Sequence, residues 1–462
     1  MIFSCPAKAF PPSPKIYGVE WDWTSSGPTR GVRTDDAVGL GDPNPAVSNG
    51  SGSSPFDNLY PWKDMVREDR TGGVMVKEPK YWFKWTRTPS DSGVKLKLQI
   101  ADGPVDGFHV DPVNMDREDG LGELDCSYIG RYHCASGSYK SETNKQNMYN
   151  VTRNQARTDI HNLGSHIWQM DFAQMWYVGM LFLVEFADWD SLRIGETYFG
   201  DIFVANGTGG TDSMKYHTGT TAATRDGFGC TQYRNIEGWW YDVFDWVDGC
   251  YYNENGLYVI MNPAQFSDNT NGVLVGKPVG GWPSDFSIPA QSGFEWALFP
   301  CAAAGTGKDY VPDSWGFDGG KPCLLHGGMA RPGNKFGFFC VDCTQASEKA
   351  SHIGCRLQER PPKTTNAKYV YKWGNETYPI GDISPNLPQV KIRFISDGVE
   401  HSTITCYSDS KAVDIFYDDE DVYMYDRGGG YFPNENYATM TFLEPPTPPL
   451  IDVLNQYATK IQ

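Results

Sequence analysis

The sequence predicts an α+β chain in which strands and long loops outweigh helices, and three observations predict it. Aromatic residues make up 14% of the chain, beside 50 glycines and 31 prolines, a composition that favours sheet and turn. Several segments place apolar residues at every second position, the period of a strand with one buried face. Two interior segments carry helix-start signals. The full expectation is two helices with an irregular antiparallel sheet, preceded by a β-rich amino-terminal part and followed by a small carboxy-terminal β domain.

A length of 462 residues admits two to four domains. Fifty-seven acidic residues stand against 39 basic ones, a net charge of −18 with no basic block, so nucleic acid and anionic membrane are poor partners. Residues 1–15 have neither the basic start nor the continuous apolar run of a signal peptide. Eleven cysteines match no disulfide scaffold, and buried reduced thiols are expected. The one close pair, Cys340-x-x-Cys343, finds no second pair, and neither Cys355 nor His352 completes a zinc set. No metal or cofactor is expected.

From the amino end, residues 1–14 are proline-rich and read as an extended arm, and 15–150 as the β-rich part. Residues 16–23 alternate as a strand. Residues 73–85 are expected to pair antiparallel with 94–100, where Val94, Leu96, Leu98 and Ile100 share a face. The acidic run 111–125 lacks the ligand spacing of an EF-hand and reads as a solvated turn. A domain over 151–360 opens with two helices. Thr152-x-x-Gln155 is a capping box before Ala156, Ile160 and Leu163, with a stop at Gly164; Asp171 with Gln174 starts a second helix, running to about Ala187, apolar on nearly every side and therefore buried. Strands are expected over 239–246, 250–252, 257–261 and 294–299. The composition changes at Pro361-Pro362, and 361–462 reads as a small β domain with strands at 389–395 and 401–406. It closes on a helix over 450–462 that carries Leu450, Val453, Leu454, Tyr457 and Ile461 on one face.

Function points to residues 325–359. There an apolar strand-like core, 336–341, separates two polar segments with no period, the signature of surface loops on a rigid frame. Arg331, Lys335, Asp342 and Glu348 would make polar contacts from these loops, with His326 and His352 at the edge. No Gly-x-Ser-x-Gly elbow, P-loop or His-Glu-x-x-His is present, and no carboxylate pair is singled out by spacing. An enzyme is not expected.

Residues 236–249, Gly327-Gly328-Met329, Gly337-Phe338-Phe339 and Ser351-His352-Ile353-Gly354-Cys355-Arg356-Leu357 together resemble the C-type-lectin-like fold in its formylglycine-generating-enzyme variant. More narrowly, they resemble phage tail and receptor-binding proteins related to the variable proteins of diversity-generating retroelements. The resemblance implies a C-type-lectin-like domain over 151–360, exposed on a tail fibre or baseplate tip of the virion. Its partners would be a bacterial surface glycan or protein receptor and other virion proteins, in a homo-oligomer for which a trimer suits. The family's variable positions fall on Met329, Arg331, Pro332, Lys335, Asp342, Thr344, Gln345, Glu348, Ala350 and His352. Met329, Lys335, Gln345 and Glu348 are residues that adenine mutagenesis of a family asparagine codon cannot produce. They point to a fixed descendant, tuned to one receptor or used structurally. The fold's enzymatic branch works through a cysteine pair, and Cys340, Cys343 and Cys355 do not align onto it. The calcium-dependent sugar motifs of animal lectins are absent. A structural virion component is the second reading and an enzyme of the formylglycine-generating or glycan-processing kind the third.

Overall fold

The computed structural model describes residues 13–194, 207–222, 229–240, 243–318, 320–328 and 337–361, together with the backbone of nine strands between Val370 and Ile461. The expected arm at 1–14 lies almost wholly outside the described residues. Two compact units divide the chain, Met1–Arg360 and Pro361–Gln462.

In the first unit the expected hairpin forms with shifted bounds. Trp82–Ser90 pairs antiparallel with Gly93–Ala101, which also takes Ile16–Asp22 on its other side. Val32–Asp35 and His109–Val110 complete this five-stranded antiparallel sheet at its two edges. The predicted single segment 73–85 is in fact two strands. Gly73–Pro79 ends on Pro79, which has no N–H to extend a ladder, and it belongs to a second five-stranded sheet. That sheet runs Arg67–Arg70, Gly73–Pro79, Cys126–Gly130, Leu357–Glu359, Ile167–Gln169, all antiparallel. Strands from 67–130 and from 167–359 therefore interleave, and the expected amino-terminal part and the domain after residue 150 share one sheet.

Both interior helices form where the caps place them. Helix α1, Arg153–His161, starts at Thr152, whose hydroxyl accepts from Gln155 N at 3.2 Å; the Gln155 side chain turns to Asp159 instead, so half of the capping box is made. Helix α2, Phe172–Phe186, has the whole box: Asp171 accepts from the backbone of Ala173 and Gln174, and Gln174 reaches back to Asp171 N. All fifteen of its residues are buried. It ends on Ala187 in the left-handed conformation, φ 52°. The Arg33 guanidinium, from the edge strand Val32–Asp35, donates to the Val184 and Glu185 carbonyls at 2.7 and 2.6 Å. A cation on unpaired carbonyls at this end also meets the negative pole of the helix. Around α2 the core is aromatic: Trp176 meets Trp315 and Phe286, and Phe182 stacks on Phe338 at 4.5 Å. Burying rings of this size supplies more apolar area per residue than any aliphatic core.

A four-stranded sheet carries the region singled out by sequence. Its order is Val341–Thr344, Cys323–His326, Phe244–Val247, Ile353–Gly354, antiparallel except for the last pair. Several expected strands move. The 239–246 strand starts only at Phe244, the 294–299 segment is a turn before Phe299–Ala302, and 337–339 is a buried turn rather than a strand. Phe338 and Phe339 are pulled inward by their aromatic neighbours, so their burial does not reflect a strand face.

The second unit holds a three-stranded sheet, Glu376–Tyr378, Val370–Trp373, Ala458–Ile461. It also holds a six-stranded one, Gly430–Phe432, Asp421–Asp426, Val413–Asp418, Gln389–Ser396, Val399–Tyr407, Thr441–Phe442. The expected terminal helix is overturned over its last part: Ala458–Ile461 is a strand antiparallel to Val370–Trp373. Short isolated helices are marginal, and a partner ladder outweighs them. Residues 450–457 lie outside the described residues.

Candidate functional site

Residues 345–352 join the two edges of the four-stranded sheet, since the segment leaves Val341–Thr344 at one edge and returns as Ile353–Gly354 at the other. Crossing three strand spacings takes roughly 14 Å, and eight extended residues reach roughly 26 Å, so the loop has slack. It spends that slack on anchors. Ala346 and Ala350 turn down onto the core cluster of Phe244, Trp246, Leu325 and Ile353, while Gln345, Ser347, Glu348, Lys349 and Ser351 are exposed. The backbone is tied along its length: Glu348 N donates to Gln345 O at 2.9 Å, and Asn150 N and Ile353 N donate to Ala350 O at 3.0 and 3.1 Å. Phe244 N donates to His352 O at 2.9 Å.

The residues nominated from the sequence part company here. Asp342 is exposed on Val341–Thr344, its Oδ1 accepting from Cys343 N at 2.8 Å. Gln345 and Glu348 are exposed on the loop, with Gln345 Nε2 donating to Gly320 O. Ala350 is half-buried and serves as an anchor, and His352 is half-buried edge-on to the Phe244 ring at 6.2 Å. His326 is not at an edge. It is 1% exposed, packs on Trp239, and its Nε2–H donates to Phe338 O at 2.7 Å. Burial lowers its imidazole to about 4. The inward face of Cys323–His326 takes it inside. Met329, Arg331, Pro332 and Lys335 lie outside the described residues.

Behind the loop is a charged centre that the motifs did not announce. Arg356 stands where the chain passes from Ile353–Gly354 to Leu357–Glu359, that is, from one sheet to the other. Its guanidinium donates to the carbonyls of Gly130, Arg131, Glu237 and Gly238 and to Asp245 Oδ2. Asp245 Oδ1 meets His133 Nδ1 at 2.9 Å. Burial would raise the Asp245 carboxyl, and the neighbouring His133 and Arg356 hold it below its usual value instead. Every group here is fully enclosed, so the cluster holds the two sheets together.

A second arrangement has the outline of chemistry. Thr218 Oγ1 lies 2.8 Å from His217 Nδ1, and His217 Nε2 lies 3.0 Å from Asp57 Oδ1, a hydroxyl, imidazole and carboxylate in line. Thr218 is 2% exposed, however, and accepts from Arg234 N. Burial and the Arg234 guanidinium drive His217 down to about 4. An imidazole that weakly basic is a poor proton acceptor, and the group braces the buried Arg234 and Glu185 pair. The nine described cysteines are free thiols, six of them buried; burial pushes Cys340 and Cys343 up, and the Cys134 hydrogen bond with burial pushes Cys355 up, away from thiolate chemistry. Among the described residues, no cluster of three or more His, Cys, Asp or Glu side chains could hold a metal ion. None of the described helices is long and apolar enough to cross a membrane. An open depression of about 500 Å³ lies over Asn144, Gln146 and Gly207 to Gly210. Its floor is main chain already paired, Asn144 N to Thr208 O and Thr208 N to Lys145 O.

No protein-family model matches this chain, and no curated protein matches it.

Proposed function

We propose that this chain is a virion attachment protein, of the phage tail-fibre or baseplate-tip kind, that binds a bacterial surface glycan or protein receptor. The single observation that carries the reading is the loop 345–352, fixed to the core by Ala346 and Ala350 while it presents Gln345, Glu348 and Lys349 outward beside Asp342. A frame that is rigid beneath and leaves the side chains above free for contacts is what a recognition surface requires. The C-type-lectin-like assignment rests on the sequence resemblance, whose motifs fall on the end of Cys323–His326, the 337–339 turn and the crossing at Arg356. Binding occurs without catalysis, and single-site affinity is modest; copies assembled as a homo-oligomer on one fibre raise avidity without new contacts.

The test compares the full chain with an Asp342→Ala, Gln345→Ala, Glu348→Ala variant for saturable binding to candidate host cells. Attachment predicts a loss of at least about tenfold with a melting temperature lowered by no more than a few degrees, since exposed substitutions of this kind cost about 0.5 kcal/mol or less each. Unchanged binding sinks the loop as receptor site. Intact binding with failed particle assembly supports the structural alternative, in which the same loop joins virion subunits.

A further inference from the structure

The turn 337–340, immediately upstream of Val341–Thr344, is held by three side chains from three separate segments. Phe338 N donates to Ser191 Oγ at 3.0 Å, Phe339 N to Asp313 Oδ2 at 2.9 Å, and His326 Nε2–H to Phe338 O at 2.7 Å. The fit leaves no slack: a Cβ on Gly337 would stand 2.2 Å from Asp313 Oδ1 and 2.3 Å from Ser191 Oγ. Phe338 stacks on Phe182, and Phe339 meets Trp189 at 4.8 Å. Asp313 is buried in this apolar box, and among the described residues no cation pairs with it.

A buried carboxylate with one N–H donor is poorly compensated, and its desolvation is relieved only when water reaches it. The other ionisable groups nearby do not help. Asp190 adds a second negative charge, and the Cys340 thiol on the turn is itself pushed up by burial and by Asp313. His326, on the facing strand, stays neutral until well into acid. We propose that Asp313 makes the 337–340 turn an acid-strengthened clasp, which closes firmly when its carboxyl carries a proton and loosens when it ionises. Burial raises Asp313 to about 7. Relative to an open turn, where the carboxyl has its ordinary value near ~3.9, the clasp is therefore strongest below that value. It is lost as pH rises through about 7. The change spans the range from the open-state value up to about 7, and its last tenfold falls near neutrality. The inference stands on the geometry of the turn and does not need the attachment reading.

Hydrogen exchange of the full chain tests it, read by mass spectrometry on peptides covering 337–344 at about pH 6 and about pH 8, after correction for intrinsic exchange rates. Linkage predicts about tenfold lower protection at the higher pH. Asp313→Asn keeps an oxygen for Phe339 N and cannot ionise, so its corrected protection is the same at both. Ser191→Ala removes a bond that does not titrate; it lowers protection equally at both pH values and leaves the tenfold difference in place. Asp111→Asn, at a carboxyl whose hydrogen bonds run to Tyr81, Val113 and Asn114 and not to the turn, also leaves it in place. A wild-type protein with no difference, an Asp313→Asn variant that keeps it, or a Ser191→Ala variant that loses it overturns the clasp.

Discussion

Arg356 converts a sequence motif into a joint between two sheets. Removing it by Arg356→Leu leaves Asp245 buried with His133 alone and strands four carbonyls, a loss of about 3–5 kcal/mol. A urea titration should show that as a large drop in midpoint. The motif around Arg356 was legible and its role was not, because charged residues lie at surfaces by default. What overrides the default is remote: the acceptors of Arg356 lie 111 to 226 residues away in sequence. His326 went astray for the same reason, since its burial is decided by Trp239 and Phe338. Gln345 and Glu348 are exposed where a polar stretch without a period reads as loop, a local signal, whereas Asp342 is exposed as the outward residue of the strand Val341–Thr344.

Among elements, α2 shows what local signals can carry. Its complete capping box fixed the start in the sequence, and its uniform apolarity fixed its burial. Asp171 also holds the buried Arg117 guanidinium at 2.6 Å. Asp171→Ala therefore removes more than the ordinary ~1 kcal/mol of a cap and should cost about 3–5 kcal/mol. Thr152→Ala, at the half-made box of α1, should cost about 0.5–1 kcal/mol. Chemical denaturation of the two variants separates them, and equal losses would refute the argument. Strands fared less well than helices. Gly73–Pro79 and Trp82–Ser90 are only two residues apart in sequence and join different sheets, a choice made by partners that no window of the sequence contains.

For the whole molecule, the buried ionisable groups set a pH dependence. Burial raises Asp111 and Asp313 to about 7 and lowers His217 and His326 to about 4. A raised carboxyl adds stability that is complete below its unfolded value near ~3.9 and is lost as pH climbs through 7. A lowered imidazole adds stability that is complete above its unfolded value near ~6.5 and is lost as pH falls through 4. From about pH 4 to about 6.5 the two pairs oppose each other; above that only the carboxyls titrate. The urea midpoint should therefore fall between about pH 6.5 and about pH 8, and the double variant Asp111→Asn, Asp313→Asn should flatten the fall. A fall of the same size in the double variant would place its origin elsewhere.

The loop 345–352 begins and ends on opposite edges of one sheet and is pinned at two alanines. Between those pins, Ser347 to Lys349 are exposed, and the bond from Glu348 N to Gln345 O stays within the loop itself. Doubling the length of a flexible loop adds only about 0.6 kcal/mol of closure entropy. The molecule can thus lengthen here at small energetic penalty, so that the loop tolerates insertions and not only substitutions.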